Sequence, residues 1–146
     1  MKTKLNLLFL LCAFLFACED LLKDPLENTK WELVSFVVDG NEGTPQSIHR
    51  IGFSLKDSDN YFEGETSTNF FEGFYEINSK TSEFKVVGYG VSGGAEDEMF
   101  NEEYSFVKLL RQVYSFELRG NTLKLFLVDG DVEGSKSNYL SFKKVK

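Results

Sequence analysis

From Lys30 onward, apolar and polar residues alternate in short runs separated by turn residues, as in strands that bury one face. Lys30 to Val38 is rich in Val and aromatic residues and stops at the turn pair Asp39-Gly40. Ile51, Phe53 and Leu55 alternate with Gly52, Ser54 and Lys56, and Asn60 to Glu65 forms a further short run. Between Asn69 and Ile77, the residues Phe71, Gly73, Tyr75 and Ile77 share one face, while Phe70, Glu72, Phe74 and Glu76 share the other. A turn at Asn78-Ser79-Lys80-Thr81 leads into a run from Glu83 to Tyr89. The period then lengthens. Phe100, Tyr104, Val107 and Leu110 recur at helical steps, which predicts a helix over 98–112. Glu96, Asp97 and Glu98 at its start, and Lys108 and Arg111 near its end, have the signs that a helix dipole favours. Strands resume at Val113 to Arg119, turn at Gly120-Asn121, and continue through Leu123, Leu125 and Leu127. After a loop from Asp129 to Ser137, Asn138 to Val145 is the last strand.

The pattern is mainly β. It predicts a small antiparallel, lipocalin-like barrel, closed or partly closed, of about eight strands, with one α-helix inserted before the last three. Closure would remove the aggregation-prone strand edges. Phe36, Phe70 and Phe74 fall on the face opposite the Phe71–Tyr75 set. Covered by the helix they are core; uncovered they form an interaction patch. The expectation is that the helix covers them.

The N-terminus has a different pattern. Lys2 and Lys4 precede an apolar run from Leu5 to Phe16, broken only by Asn6, and polarity returns at Glu19-Asp20. A charged start, about twelve apolar residues and a small residue at the boundary describe a secretory signal peptide over 1–17. The run is too short to span a membrane as a helix. Leu15-Phe16-Ala17-Cys18 resembles a bacterial lipobox. That resemblance implies cleavage before Cys18 and lipid on its thiol and new amino group. Cys12 would leave with the signal peptide, so the mature chain would hold no disulfide. Residues 18–29 then read as the lipidated Cys and an acidic tether, and 30–146 as the domain. Fully extended, the tether would reach roughly 35–40 Å.

Composition narrows the function classes. The 146-residue chain is long enough for one domain, and its 15 Phe suit half-buried strands. The net charge of −7 argues against nucleic acid as a partner. A single His, His49, excludes zinc sites built on two or three imidazoles. No fixed carboxylate neighbours His49 and no Gly-x-Ser-x-Gly motif occurs, so no catalytic residues are assigned. Asp129-Gly130-Asp131-Val132-Glu133-Gly134 begins like a calcium loop, but position 12 would be Leu140 rather than a bidentate Glu. No metal and no cofactor are expected. Asp129, Asp131 and Glu133 remain a possible partner loop.

The ordered series of motifs resembles the META domain family, the HslJ-like proteins. Trp31-Glu32-Leu33 fits the family's first strand, and Gly64, Asn69, Phe71, Gly73 and Tyr75 fit its central signature in register. Thr68 and Ala95 stand where the family has cysteines, which removes a thiol role here. The resemblance implies a small barrel with one helix, an envelope location and an association with stress tolerance, but no catalytic mechanism. Trp31, Gly64, Asn69, Phe71, Gly73 and Tyr75 are expected to serve structure.

The expectation is therefore a non-enzymatic, lipid-anchored binding or stress-tolerance module of the cell envelope. It would sit in the outer membrane, facing the periplasm or the cell surface. Its partners would be the membrane, through the lipid, and an unknown protein or small-molecule ligand. Two alternatives are an inhibitor of an envelope-acting hydrolase, such as a lysozyme or protease, and a small-molecule or lipid binder using the barrel mouth.

Overall fold

The computed structural model of the chain describes residues 25–45, 51–56, 60–66, 69–92, 106–128 and 136–146. Nine strands follow in chain order: β1 Thr29–Val38, β2 Asn41–Gly43, β3 Gly52–Leu55, β4 Tyr61–Glu65, β5 Phe70–Asn78, β6 Glu83–Ser92, β7 Val113–Arg119, β8 Thr122–Leu127 and β9 Tyr139–Val145. Residues 106–110, here α1, are helical and come before the last three strands. The first half of the predicted helix lies outside the described residues.

All pairings are antiparallel. The sheet runs β1-β3-β4-β5-β6-β7-β8-β9 and closes because β1 also pairs with β9. Lys30 opposes Ser54 on one edge and Val145 on the other. The expected barrel is thus present and closed. Among the described residues eight strands close the ring, as the alternation predicted, and β2 is one short extra strand beside β1. Asp39 and Gly40 have φ of 52° and 75°, the two left-handed residues of a type I′ hairpin turn. The chain therefore folds back on β1 as β2, pairing Val38 with Asn41 and Phe36 with Gly43. Asn41-Glu42-Gly43 is polar throughout and carries no alternation to reveal it. The β7–β8 turn is also a two-residue hairpin, with Gly120 at φ 58° in the first central position, as a type II′ turn requires.

One seam is thin. β6 pairs with β7 only at Glu83 and Ser115. The Phe116 N–H donates to the Ser82 carbonyl at 2.9 Å. Beyond that point β6 runs on to Ser92 with β5 on one side and, among the described residues, no strand on the other.

Side chains fill the interior. Trp31, Phe53, Phe62, Phe71, Tyr75, Phe84, Leu125, Leu140 and Phe142 are all buried in one cluster. Phe53 meets Phe142 edge-on at 5.0 Å. α1 packs inside this cluster: Phe106 lies 5.7 Å from Phe71 and 6.4 Å from Phe142, and Val107 and Leu110 are buried with it. The interior void lined by Phe53, Phe62, Phe84 and Leu110 is about 10 Å³, too small for anything beyond a single water. Among the described residues the barrel interior is not a ligand cavity.

This placement of α1 overturns one expectation. The helix plugs the inside of the barrel, so it does not cover the outer face of β5. Phe70 and Phe74 are 64% and 49% exposed, whereas Phe36 packs partly against the core. Residues just before Lys30 also pack with the barrel. Leu26 is fully buried, and Thr29 is already in β1. The Trp31 indole N–H donates to Thr29 Oγ1 at 2.7 Å, and that hydroxyl donates to the Leu26 carbonyl. The last residues of the acidic stretch are therefore part of the folded wall.

Candidate functional site

Paired residues in a sheet share a face, so the registers define the outer surface rung by rung. One rung crosses Lys30, Ser54, Glu63, Glu72 and Gly90. The next crosses Glu32, Gly52, Glu65, Phe70 and Ser92. A third crosses Tyr61, Phe74 and Gly88. β3 contributes only the small residues Gly52 and Ser54, so the surface dips there. The result is an open groove of about 570 Å³, bounded by Lys30 and Glu32 on one side and by Glu63, Glu65, Phe70 and Glu72 on the other.

The groove is acidic and partly aromatic. Lys56 Nζ lies 2.6 Å from Glu63 and Lys143 Nζ 3.6 Å from Glu32, which offsets two carboxylates. Glu65 has no ion pair among the described residues. The Tyr61 hydroxyl donates to Glu72, and its ring meets Phe74 edge-on at 5.6 Å. The hydrogen bond to Glu72 pushes the Tyr61 phenol up to about 12, with smaller contributions from desolvation and from the charges of Glu72 and Glu63. At neutral pH the pair is a neutral phenol bound to a carboxylate. The arrangement can accept cations and stack flat apolar groups. It offers no nucleophile paired with a base. Among the described residues no cluster of three metal-ligating side chains occurs, and no helix is long and apolar enough to cross a membrane.

The signature residues lie in the barrel wall beneath this surface. Phe71 and Tyr75 point inward, and Tyr75 stacks on Phe84 at 5.3 Å. Buried Asn69 closes the β4–β5 turn: its carbonyl accepts from the Thr66 N–H at 2.9 Å, and its own N–H donates to Thr66 Oγ1 at 3.2 Å. A Cβ on Gly64 would meet the Phe71 ring at 2.2 Å and the Gly52 carbonyl at 2.5 Å. A Cβ on Gly73 would meet the Gly88 carbonyl at 2.1 Å. Trp31 is buried at the other wall of the groove. The structure thus gathers Trp31, Gly64, Asn69, Phe71, Gly73 and Tyr75 into the scaffold of the groove. Cys18, His49 and the acidic loop residues Asp129, Asp131 and Glu133 lie outside the described residues.

Sequence reasoning did not single out Gly88 and Gly90 on β6. Neither has a positive φ, and a Cβ built on either meets nothing within 4 Å. The run Gly88-Tyr89-Gly90-Val91-Ser92 held the signal, since every outward residue in it is small.

The model of the META domain family matches residues 24–137. Among solved structures, the chain is similar to a protein from Burkholderia xenovorans studied by NMR. The TM-score is 0.64 at 18% identity, covering 83% of this chain and 84% of that one. It is also similar to a DUF4847 family protein from Bacteroides vulgatus, with a TM-score of 0.61 at 17% identity, covering 82% of this chain and 94% of that one. At these identities the likeness is one of fold. No curated protein sequence matches the chain.

Proposed function

The chain belongs to the META domain family, and on that premise we propose that it is a lipid-anchored protein of the cell envelope, held in the outer membrane through Cys18, that works without catalysis as a binding module. Its binding surface is the outer face of β3 to β6. The observation that carries this reading is the contrast between a filled interior and two phenylalanine rings left in solvent beside an acidic groove. Phe70 and Phe74 lie on one outer face with Glu72 between them, and apolar surface left exposed along such a face marks an interaction site. A stress-tolerance role in the envelope is compatible with such a module. A small ligand inside the barrel is not favoured, because the void lined there by described residues is only about 10 Å³.

Two measurements in cells test the two halves. Metabolic labelling with an alkyne fatty acid should mark the chain and should fail to mark Cys18→Ser. A photo-cross-linking residue placed at Phe74 should give a defined adduct, while the same residue at Arg119, exposed on β7, should not. Equal cross-linking at both positions, or none at either, removes the outer-face proposal.

A further inference from the structure

The glycines of the sheet divide into two groups. A Cβ on Gly52, Gly64 or Gly73 would lie 2.1–2.7 Å from a backbone carbonyl oxygen, so the fold itself demands glycine there. Gly88 and Gly90 are under no such demand, being free of crowding and of left-handed backbone; Gly88 borders the β-bulge at Val87, which leaves Gly90 as the glycine that no local geometry explains. Glycine inside a strand costs stability, and where the fold does not explain it, it marks a place where another backbone or a ligand comes close. Both lie on the part of β6 that has lost β7, where the outer edge of the strand carries no partner strand among the described residues. Such an edge presents free N–H and C=O groups to any extended chain.

From these observations we propose that β6 accepts an extended segment of a basic protein as an added strand over Gly88–Ser92, beyond the β-bulge at Val87, a segment in which Lys or Arg alternates with apolar residues. This rests on the outer-face reading above and names its partner class. The alternation follows from the two sides of β6. On the outer side, Gly88, Gly90 and Ser92 form a bare floor leading to Phe74, Glu72 and Phe70 on β5. A long basic side chain on the added strand can lay its stem across that floor. Its head then reaches the Glu72 carboxylate, and neighbouring basic heads reach the face of Phe70 or of Phe74, where a cation is attracted to the π cloud. Short or acidic side chains cannot do this. On the inner side, Tyr89 and Val91 pair with Gly73 and Phe71, and both remain partly exposed. There the added strand meets apolar surface, with the Arg111 guanidinium 5.2 Å above the Tyr89 ring. The chain's net charge of −7 draws a basic partner in the same sense. Strand addition of this kind takes affinity from backbone hydrogen bonds and specificity from alternate side chains.

The test uses the full-length chain in detergent and a fluorescent peptide of alternating Lys and Val, long enough to span Gly88 to Ser92, read by anisotropy. Two control peptides replace Lys by Glu, or Val by Pro; the second keeps the charge but removes half the N–H donors. The Lys-Val peptide should bind, and both controls should bind at least about tenfold more weakly. The double variant Gly88→Thr, Gly90→Thr fills the floor with branched side chains. It should unfold no earlier than the wild type and lose at least about tenfold in affinity for the Lys-Val peptide. Equal binding of the Lys-Pro peptide would mean that charge alone holds the ligand, and would overturn strand addition. Equal binding by the double variant, or no binding by the wild type, would also overturn it. Cross-linking at Phe74 is read separately. If it persists while the peptide results fail, the outer-face reading stands and only the β6 edge is wrong.

Discussion

Gly73 on β5 and Gly88 on β6 lie one register position apart, and the structure assigns them opposite responses to the same substitution. A Cβ on Gly73 would sit 2.1 Å from the Gly88 carbonyl oxygen and 2.7 Å from the Phe62 ring. The ring can tilt, but the carbonyl belongs to the hydrogen-bonded ladder, so Gly73→Ala must push β5 away from β6. Forcing an extra methyl into a packed site costs about 1–3 kcal/mol. Relief of glycine's conformational entropy gives back roughly 0.5–1 kcal/mol. The net loss is about 1–2 kcal/mol, which lowers the melting temperature of a domain this size by roughly 3–10 °C. Gly88→Ala meets no atom within 4 Å and keeps only the entropic gain, so its midpoint should rise by a few degrees. Trp31 is the only tryptophan and is buried, so its fluorescence during urea unfolding reports both changes. If the two variants shift in the same direction by similar amounts, close approach is not the reason for Gly73, and the distinction between fold-required and unrequired glycines fails with it.

Tyr61 provides a pH probe. Its phenol is pushed up to about 12 by the hydrogen bond to Glu72, from an ordinary value of 10.0 in the unfolded chain. A raised folded value means that the contribution to stability is fully present below pH 10 and is lost as the pH rises through the folded value. Ultraviolet titration of Glu72→Gln should show one tyrosine ionising at lower pH than in the wild type; superimposable curves would refute the hydrogen bond. Leu26→Ala removes a fully buried side chain and should cost about 2–5 kcal/mol in urea unfolding. A loss below about 0.5 kcal/mol, the size usual for surface changes, would show that this residue anchors nothing.

Much of the barrel was legible because one buried face imposes a two-residue period on each strand. β5 shows it best: Phe71, Gly73 and Tyr75 are buried while Phe70, Glu72 and Phe74 are not. Where a bulge intervenes, the period slips, as between Leu33 and Ser35 or between Val113 and Ser115. Phe126 breaks the pattern for another reason. It is buried on the outer face, beneath Tyr139 at 6.3 Å and the Lys136 ammonium at 5.0 Å. The functional surface was much less legible. Alternation says that Phe70 and Phe74 share a face, but not whether the helix lies over them; that depends on α1 entering the barrel through Phe106. The groove over Gly52 and Ser54 and the bare strip at Gly88 and Gly90 arise from residues with little or no side chain, which leave no periodic trace. The registers that turn those absences into shape are set by pairings between distant strands.

The double pairing of β1 has a consequence for the order in which the chain can fold. Lys30 and Val145, almost the whole domain apart in sequence, oppose one another, so the ring cannot shut until the final strand is free to reach the first. Bringing such remote ends together carries a loop-closure entropy that local hairpins avoid, and contacts of this kind slow the search for the native state. The hairpins β7–β8 and β8–β9 can form on their own timescale, but β1 gains its second neighbour last. A chain still threaded through an export channel by its C-terminal residues therefore lacks the closing strand and remains an open, unfinished sheet. Delayed closure of this kind suits the exported role proposed above, because an unclosed sheet can still unravel to pass through a narrow channel whereas a closed ring is too wide for one.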